Sequence, residues 1–469
     1  MKNPSYVKPA QDASATSRPL PDATDVPIAR ILLPGPGRPE SKFADDVGKL
    51  LGQVQAAFRF NDRVVEVENE EFNGELDRFK LAKGGPKFKV IEPVRAKTWI
   101  EQYTQIGTYT DVFTPKTMSE AVARSLLASP QFLKSIPPVA RILDIPIPIR
   151  TASDDIIIPK PGFNKKLAIY VALDSPPLTE MSLDQALEIL ENAHAGFCLK
   201  SKQSKVHALA RLLTPFARGL IGFQERIPLW FFNGNRPRCG KDYLNGVTQI
   251  AYMGHAFEDV AIMDKPEETV KRITSALRAG RRFMHFANCQ HHLNDVALIQ
   301  AITGPTFNAR SLGSNDASSD LELPNEIDFS LSANIGLTYQ EDIEPRLRKI
   351  DLAFFEEDPN KRIFPNQFLH DWLKENRVTV LSAIFSIFRY WIKAGAPRGQ
   401  TVFNSFPRWA EILGGVMQTA KLGDPCLPHE GEDLIGGDQR ERAMRDLFSL
   451  LLRENARRVD QEIGYLRRN

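Results

Sequence analysis

The amino-acid sequence predicts an α/β fold with a parallel sheet, preceded by a small α+β domain and followed by a helical domain. Three observations support this prediction. Apolar runs typical of buried strands alternate with amphipathic helical patterns in residues 226–366. Short β-like runs separated by Pro and Gly dominate residues 28–174, and residues 367–469 are almost wholly helical in pattern. A chain of 469 residues is long enough for two or three domains.

The first part of the chain contains weak and short patterns. Residues 1–27 are rich in Pro, Ser, Ala and Asp without periodicity, and they are predicted to form a flexible tail. Residues 28–174 are predicted to form the α+β domain. The elements expected there are strands at Arg63–Val67, Phe88–Ile91 and Asp155–Ile158 and a helix at Met118–Ala128.

Stronger periodicity follows from residue 175 onwards. Residues 175–225 are predicted to form a linker of two helices that leads into the central domain. The strands expected in the central domain start at Ile227, Phe283, Ile327 and Leu347. The helices expected between them are Tyr243–Tyr252, one from Pro266 that stops at Gly280, and one through Ile302 that is capped by Asn294 or Asp295. Strands that alternate with helices in this way predict a parallel, three-layer sheet.

The composition excludes several classes of protein. Hydrophobic residues make up 42% and charged residues 25% of the chain, which is typical of a globular protein, and the net charge is only +2. The four cysteines have no C-x-x-C spacing, so neither a disulfide scaffold nor a zinc ribbon is predicted. No run of 18 apolar residues and no apolar leader is present, so we expect a soluble cytoplasmic protein without a membrane partner.

A predicted strand, a loop and a helix start follow one another in Ile227–Leu244. The loop is rich in turn-forming and basic residues, and Gly240 and Lys241 stand where the helix begins. Backbone N–H groups at a helix N-terminus, together with a lysine, bind nucleotide phosphates in P-loops. The stretch therefore predicts a site for the phosphates of ATP. The predicted contacts are Gly234, Asn235, Arg236, Pro237, Arg238, Cys239, Gly240, Lys241, Asp242 and Tyr243.

Two positions of this loop depart from the pattern G-x-x-x-x-G-K-[ST]. Asn235 stands at the first glycine, with Gly234 directly before it. Because Asn tolerates left-handed backbone better than other non-glycine residues, this change is mild. Asp242 replaces the hydroxyl residue that normally ligates Mg²⁺, and this change is serious. Asp242 is therefore also the candidate metal ligand.

Further polar residues occur in a fixed order after the loop. Asn334 ends a predicted strand, at the position where a parallel sheet presents side chains to its ligand. An acid and two arginines, Asp342, Arg346 and Arg348, lead into the next strand. A helical segment at Phe406–Gly415 contains a tryptophan followed by two glycines.

This order of motifs resembles the superfamily III-like and AAA+ helicase-type P-loop ATPases of phages, plasmids and mobile elements, which often form the C-terminal part of primase–helicases. The resemblance extends over roughly residues 142–424 and is strongest from residue 227. It implies an ATP-hydrolysing, Mg²⁺-dependent, helicase-like protein. Such a protein would act on single-stranded or double-stranded DNA in replication of a prophage or mobile element, and would assemble as a homo-oligomeric ring.

The resemblance also implies roles for individual residues. Lys241 is similar to the lysine that holds the β- and γ-phosphates, and Asn334 to the sensor that positions the attacking water. Arg346 resembles the arginine that stabilises charge on the transferred phosphoryl group. Glu268 lies in a segment similar to the Glu-Glu-x-x-Lys-Arg helix of the family and is a further catalytic candidate. Arg310 begins a turn similar to its Arg-x-Leu-Gly turn.

One departure from the family leaves two alternatives open. The acid that is expected to hold magnesium after the second strand is replaced by Ala287. Either Asp242 ligates the ion in its place, or hydrolysis is lost and nucleotide binding remains. The second alternative describes a catalytically degenerate nucleotide-binding scaffold or regulatory subunit. A small-molecule kinase is a third and weaker hypothesis, because such enzymes rarely combine these motifs with a long helical tail.

Other polar clusters have simpler interpretations. Arg278, Arg281 and Arg282 either belong to the solvated surface or face a neighbouring subunit or nucleic acid. The arginines between residues 453 and 468 fit a solvated helix face, with a tail that contacts nucleic acid as the alternative. Cys289, His291 and His292 lack a second pair of ligands at a zinc spacing, so they do not predict a metal site.

Overall fold

The structure is a computed structural model, in which the chain forms two compact units. One unit comprises Met1–Glu68 and Lys87–Arg141, and the other comprises Asn69–Pro86 and Ile142–Asn469. The residues that the structure describes are 29–60, 63–68, 86–256, 266–289, 292–293, 295–310, 320–334, 337–339, 343–355, 365–366, 368–428, 447–448 and 450–451. The predicted tail, Asn294, His291, Asp342 and the C-terminal arginines lie outside these residues.

The first unit is a small α+β structure, as the sequence predicts. Parallel β1 and β5 form a sheet with antiparallel β6, and β2, β3 and β4 form an antiparallel sheet. Phe43, Trp99 and Phe132 lie in its core. Its elements are β1 Arg30–Leu32, α1 Glu40–Gln53, β2 Phe58–Phe60, β3 Arg63–Glu68, β4 Lys87–Val90, α2 Pro93–Trp99, β5 Gln105–Tyr109, β6 Phe113–Pro115, α3 Glu120–Ala128 and α4 Pro130–Ser135.

The second unit begins with short strands and two helices. Ser182 caps one helix in a reciprocal capping box, and Ser201 caps the next, which explains why both begin where they do. The two predicted linker helices are thus confirmed. These elements are β7 Arg141–Leu143, β8 Ile149–Arg150, β9 Ile156–Ile157, β10 Gly162–Asn164, β11 Ile169–Val171, α5 Leu183–Ala193 and α6 Lys202–Ile221.

The remaining elements alternate between strands and helices and then become helical. Asp295 caps one helix by accepting a hydrogen bond from the N–H of Leu298, as one of the two sequence alternatives predicts. The elements are β12 Leu229–Gly234, α7 Lys241–Met253, α8 Pro266–Arg278, β13 Phe283–Cys289, β14 His292–Leu293, α9 Val296–Thr303, β15 Thr306–Arg310, β16 Asp320–Pro324, β17 Asp328–Asn334, β18 Thr338–Tyr339, β19 Leu347–Leu352, α10 Leu369–Glu375, α11 Arg377–Lys393 and α12 Pro407–Thr419.

A four-stranded parallel sheet forms the centre of the second unit, and its strand order is β13-β17-β12-β19. The strand that precedes the predicted phosphate loop, β12, therefore lies between two strands that come later in the chain. In register, Gly234 is opposite Asn334 on one side and opposite Leu352 on the other. We call this end of the sheet its C-terminal edge. Ligands of parallel α/β sheets bind at this edge, where the strand order reverses.

Helices cover both faces of this sheet, which confirms the predicted three layers. Trp230 and Phe232 of β12 belong to a core that includes residues of α6, α7, α11 and α12. Leu229 and Phe231, on the opposite face, belong to a core that includes residues of α8 and α9. The alternation follows from the two-residue period of a strand. Among the described residues, no helix has the length and apolar character needed to cross a bilayer.

The boundary between the two compact units lies after Arg141, whereas the sequence pattern predicts a domain boundary at residue 174. The segment between residues 142 and 171 has Ile145, Ile147 and Val171 in the same core as α6, so it belongs to the second unit. The predicted linker, central domain and helical domain also share this core. The predicted boundary at residue 174 therefore falls inside one packed unit. The sequence of a short strand does not indicate which later elements will pack against it.

One face of β17 is polar although the strand is central. Phe329, Leu331 and Ala333 lie in the core with α8 and α9, whereas the alternate residues Asp328, Ser330, Ser332 and Asn334 are polar. Central strands of parallel sheets are usually apolar on both faces. Buried polar groups are costly without partners, so each of these side chains needs a specific contact on the α6–α7 side.

At the start of β17, the contact is a buried ion pair between Asp328 and Arg211 of α6. The guanidinium also lies 5.8 Å from the ring centroid of Trp230 and 5.3 Å from that of Phe283. Burial raises the pKa of Asp328, and the positive charge of Arg211 opposes this rise. Removing either partner would leave an uncompensated charge in the core.

We expect Arg211→Met to lower the free energy of unfolding by about 3–5 kcal/mol, because Asp328 is left buried without its partner. The double variant Arg211→Met/Asp328→Leu should recover most of this loss. Urea unfolding followed by tryptophan fluorescence measures both, since the ring of Trp230 lies beside the pair. A double variant no more stable than Arg211→Met would show that the pair has no such role.

Candidate functional site

The loop between β12 and α7 contains two residues with left-handed backbone, Arg238 with φ 64° and Gly240 with φ 96°. Asn235 does not have a positive φ, so the expected reason for an asparagine there is wrong. Its side chain instead accepts from the N–H of Phe354 (3.0 Å) and donates to the carbonyl oxygen of Phe354 (2.9 Å). The amide thus joins the loop to the chain that follows β19.

The buried thiol of Cys239 fills the inside of this loop. Burial raises its pKa, while the charge of Lys241 and the backbone N–H groups of Lys241, Cys239 and Arg236 act in the opposite direction. A side chain at Gly234 would collide with the Cys239 sulfur, so the strand has to end in glycine. Pro237 and Arg238 are exposed on the outside of the loop.

Lys241 and Asn334, the two central residues of the sequence prediction, are in contact. Lys241 is the first residue of α7 and is 5% exposed, and its Nζ lies 3.0 Å from Oδ1 of Asn334. The N-terminus of α7 adds the partial positive charge of the helix dipole at the same place. A cation, the N-terminus of a helix and a polar amide thus meet at the C-terminal edge of the sheet.

Asp242, the candidate metal ligand, lies against the strands rather than free in solvent. Its Oδ1 is 3.3 Å from Nε2 of His285 on β13, and the hydroxyl of Ser332 on β17 also acts to lower the pKa of its carboxyl group. Burial acts to raise the pKa of Asp242, but these donors and nearby charges lower it below its usual value. The carboxylate is thus held ionised, and its side chain is 39% exposed.

His285 and the serines of β17 were not among the predicted site residues. Nδ1 of His285 is 2.8 Å from Oγ of Ser330, and that oxygen is 3.2 Å from Oδ1 of Asn245 on α7. The alternation of polar and apolar residues in β17 was visible in the sequence and signals a polar face. Its partners on α7 and β13 follow only from the register of the sheet.

The position of the missing magnesium-holding acid lies at an irregularity of β13. Pairing with β17 shifts between Phe286 and Cys289, and Asn288 adopts a left-handed φ of 52°. The N–H of Asn288 donates to Oγ of Ser332 at 3.2 Å. Ala287 supplies no ligand here. Within the described ranges, no group of three or more His, Cys, Asp or Glu residues is arranged to hold a metal ion.

The other predicted catalytic residues lie elsewhere in the second unit. Arg346 ends a short 3₁₀ helix directly before β19, at the end of the sheet opposite the C-terminal edge. Six residues of strand separate it from that edge, or about 20 Å. Arg348 is buried, with its guanidinium 3.6 Å from the centroid of Phe403. Glu268 pairs with Lys271 of its own helix at 2.6 Å.

Helices α10 and α11 hold both ends of α7. The ring of Tyr243 stacks on His370 with centroids 3.7 Å apart, and Nε2 of His370 lies 2.8 Å from the carbonyl oxygen of Tyr243. At the other end, Arg377 donates to the carbonyl oxygens of Ala251 (3.0 Å) and Tyr252 (2.7 Å). Tyr243, a predicted nucleotide contact, thus connects the first turn of α7 to α10.

Comparison with known proteins finds no matching protein family and no curated protein of similar sequence. The chain is similar to a solved structure described as "SCCmec type IV Cch - active helicase", with a TM-score of 0.32 and 11% identity. That match covers 78% of this chain and 68% of the other chain. A likeness at this level assigns no function, so the function has to be argued from the site itself.

Gly246→Ala tests the contact between α7 and α10. A Cβ at this position would lie 2.6 Å from Cε1 of His370, whose ring is fixed by stacking and a hydrogen bond. Alanine normally stabilises a helix interior by up to about 1 kcal/mol relative to glycine. We expect the opposite here, a loss of about 1–3 kcal/mol from overpacking, measured by urea unfolding.

The matched control for this prediction is Gly246→Ala combined with His370→Ala. Removal of the ring should turn the added methyl group from destabilising to stabilising, when the double variant is compared with His370→Ala alone. A gain in stability from Gly246→Ala with His370 intact would contradict the described contact.

Proposed function

We propose that this chain binds ATP at the loop between β12 and α7 and hydrolyses it in helicase-like work on DNA. The observation that supports this most directly is the 3.0 Å contact between Nζ of Lys241 and Oδ1 of Asn334. The lysine carries the positive charge that phosphates require, and the amide lies at the end of the adjacent strand. Both stand at the helix N-terminus where anions bind.

In this proposal each group has a distinct task. The N–H groups at the start of α7 and the side chain of Lys241 hold the β- and γ-phosphates and offset their charge. Asn334 accepts from Lys241 before the nucleotide arrives, and with the lysine on the phosphates its amide is released to orient the attacking water. Asn235 and Cys239 keep the loop in shape, since one ties it to Phe354 and the other fills its interior.

The residues present fit a hard divalent cation. Mg²⁺ that is bound with a nucleotide needs one or two protein carboxylates or hydroxyls, and takes its other ligands from phosphates and water. Asp242 offers an ionised, partly exposed carboxylate in the first turn of α7, next to Lys241. When bound, the ion would neutralise charge on the phosphates. Position 287, an alanine, offers no carboxylate for that task.

Action on DNA and assembly as a ring extend the proposal. The resemblance of the motif order supports both, and the exposed Arg278 and Arg281 provide positive charge for a phosphate backbone. Arg346 lies about 20 Å along the strand from the C-terminal edge, and this distance supports a role at the nucleotide of a neighbouring copy rather than at its own. Head-to-tail contacts of this kind close into rings.

A second function is favoured by the two departures at the metal site. The carboxylate of Asp242 has internal hydrogen-bond partners, and the chain has alanine at position 287. A protein that binds nucleotide without turnover, as a scaffold or regulatory subunit, would tolerate both. Magnesium-dependent ATP turnover, with and without single-stranded DNA, separates the two functions.

Lys241→Ala should weaken ATP binding by about 100-fold, because the phosphates lose a charge-assisted hydrogen bond of up to about 3 kcal/mol. Binding of a fluorescent ATP analogue and DNA-stimulated turnover would be measured side by side. Lys205→Ala, which removes an exposed lysine of α6, is the matched control and should change neither. Unchanged ATP affinity in Lys241→Ala would overturn the phosphate-loop assignment.

Subunit mixing tests the placement of Arg346. Arg346→Ala and Lys241→Ala should each abolish turnover alone, since one lacks the arginine and the other the phosphate lysine. A 1:1 mixture should recover turnover at roughly one quarter of the sites, where an intact loop meets an intact neighbouring arginine. No recovery on mixing, or full turnover by Arg346→Ala alone, would contradict a role in trans.

A further inference from the structure

The carboxylate of the expected motif lies on helix α7 in this chain and not on strand β13. Asp242 brings a carboxylate to α7, where the pattern has a hydroxyl, and Ala287 removes the carboxylate from β13. His285, two residues before Ala287, contacts the displaced carboxylate at 3.3 Å. A carboxylate and its hydrogen-bond donors are thus still present at the site, with their positions on helix and strand reversed.

The imidazole of His285 is held in one orientation. Its side chain is fully buried, and its two nitrogens face different partners, Ser330 at Nδ1 and Asp242 at Nε2. The ring of Phe232 packs against it at a centroid distance of 6.2 Å and nearly at right angles. Because the ring is fixed by these contacts, the orientation of the Asp242 carboxylate depends on the position of the ring.

Resting on the proposed ATP site, we propose that His285 and Ser332 are positioning residues that aim the carboxylate of Asp242 at a divalent cation bound with the nucleotide. His285 contacts the carboxylate from the strand side at 3.3 Å, while the side chain of Asp242 stays 39% exposed beside Lys241. Carboxylates that ligate metals are characteristically oriented by such outer hydrogen bonds, and loss of one costs about 10–100-fold in metal affinity.

A purely structural role predicts different behaviour. If the Asp242–His285 contact only joined α7 to β13, its loss would weaken nucleotide binding equally with and without a divalent cation. If the contact aims the carboxylate, its loss removes the effect of the cation and leaves metal-free binding unchanged. The ratio of the two affinities therefore separates the roles without any measurement of turnover.

The experiment measures binding of a fluorescent ATP analogue with Mn²⁺ and with EDTA, and the affinity for Mn²⁺ itself by electron paramagnetic resonance with saturating nucleotide. In the unaltered chain Mn²⁺ should tighten nucleotide binding. His285→Phe should reduce the Mn²⁺ affinity by about 10–100-fold and leave the EDTA value unchanged, and His285→Gln, which keeps an N–H donor, should recover part of it. Ser332→Ala should act in the same direction and serves where His285→Phe fails to fold.

A compensating background provides the sharpest control. Asp242→Thr with Ala287→Asp returns the carboxylate to β13 and the hydroxyl to α7, so Mn²⁺ binding should survive there. Adding His285→Phe to this background should have little effect, because Asp242 is no longer present to be positioned. An equal loss in both backgrounds would overturn the positioning role.

The failures of the two proposals are distinguishable. If the unaltered chain binds no nucleotide, the proposed ATP site fails. If it binds nucleotide equally well with Mn²⁺ and with EDTA, the ATP site stands and the positioning proposal is overturned. Unchanged Mn²⁺ affinity in both His285→Phe and Ser332→Ala overturns it as well.

Discussion

Every second side chain of β17 is polar and faces the helices of the α6–α7 side, where a polar group without a partner would be costly. The partners come from three elements: Arg211 of α6, His285 of β13, and residues 241, 242 and 245 of α7. The need of these polar side chains for hydrogen-bond and ion-pair partners fixes the distance and rotation of α7 relative to the sheet. The phosphate loop, which precedes α7, takes its position from the same contacts.

The C-terminal helices complete this arrangement from the other side. α7 is held between the polar face of β17 and the contacts from His370 and Arg377, one at each end of the helix. The stacked ring of Tyr243 and the carbonyl groups of the last turn belong to α7, so a movement of α7 would change its contacts with α10 and α11. The fold thus links the site to a surface outside the sheet.

The sequence predicts the elements of this site better than their contacts. The meeting of Lys241 and Asn334 was predictable, since parallel strands end at one edge and a P-loop lysine follows one of them. The role of His285 was not, because its contact with Asp242 depends on register between segments 43 residues apart. Asparagine at position 235 was explained by its tolerance of left-handed backbone, whereas in the structure its side-chain amide bonds to the backbone of Phe354. The boundary at residue 174 failed to match the packing because residues before it, such as Ile147 and Val171, share a core with α6, α11 and α12, which follow it in the chain.

Hydrogen–deuterium exchange with and without a slowly hydrolysed ATP analogue and Mg²⁺ tests the central claim most directly, namely that α7 and β17 together form a phosphate site. The account predicts slower exchange of the backbone amides of Arg236 and of residues 238–242, since these N–H groups become donors to phosphate, together with slower exchange in the first turns of α7. Protection should vanish in Lys241→Ala. Unchanged exchange in the loop, with protection confined to other segments, would contradict the account.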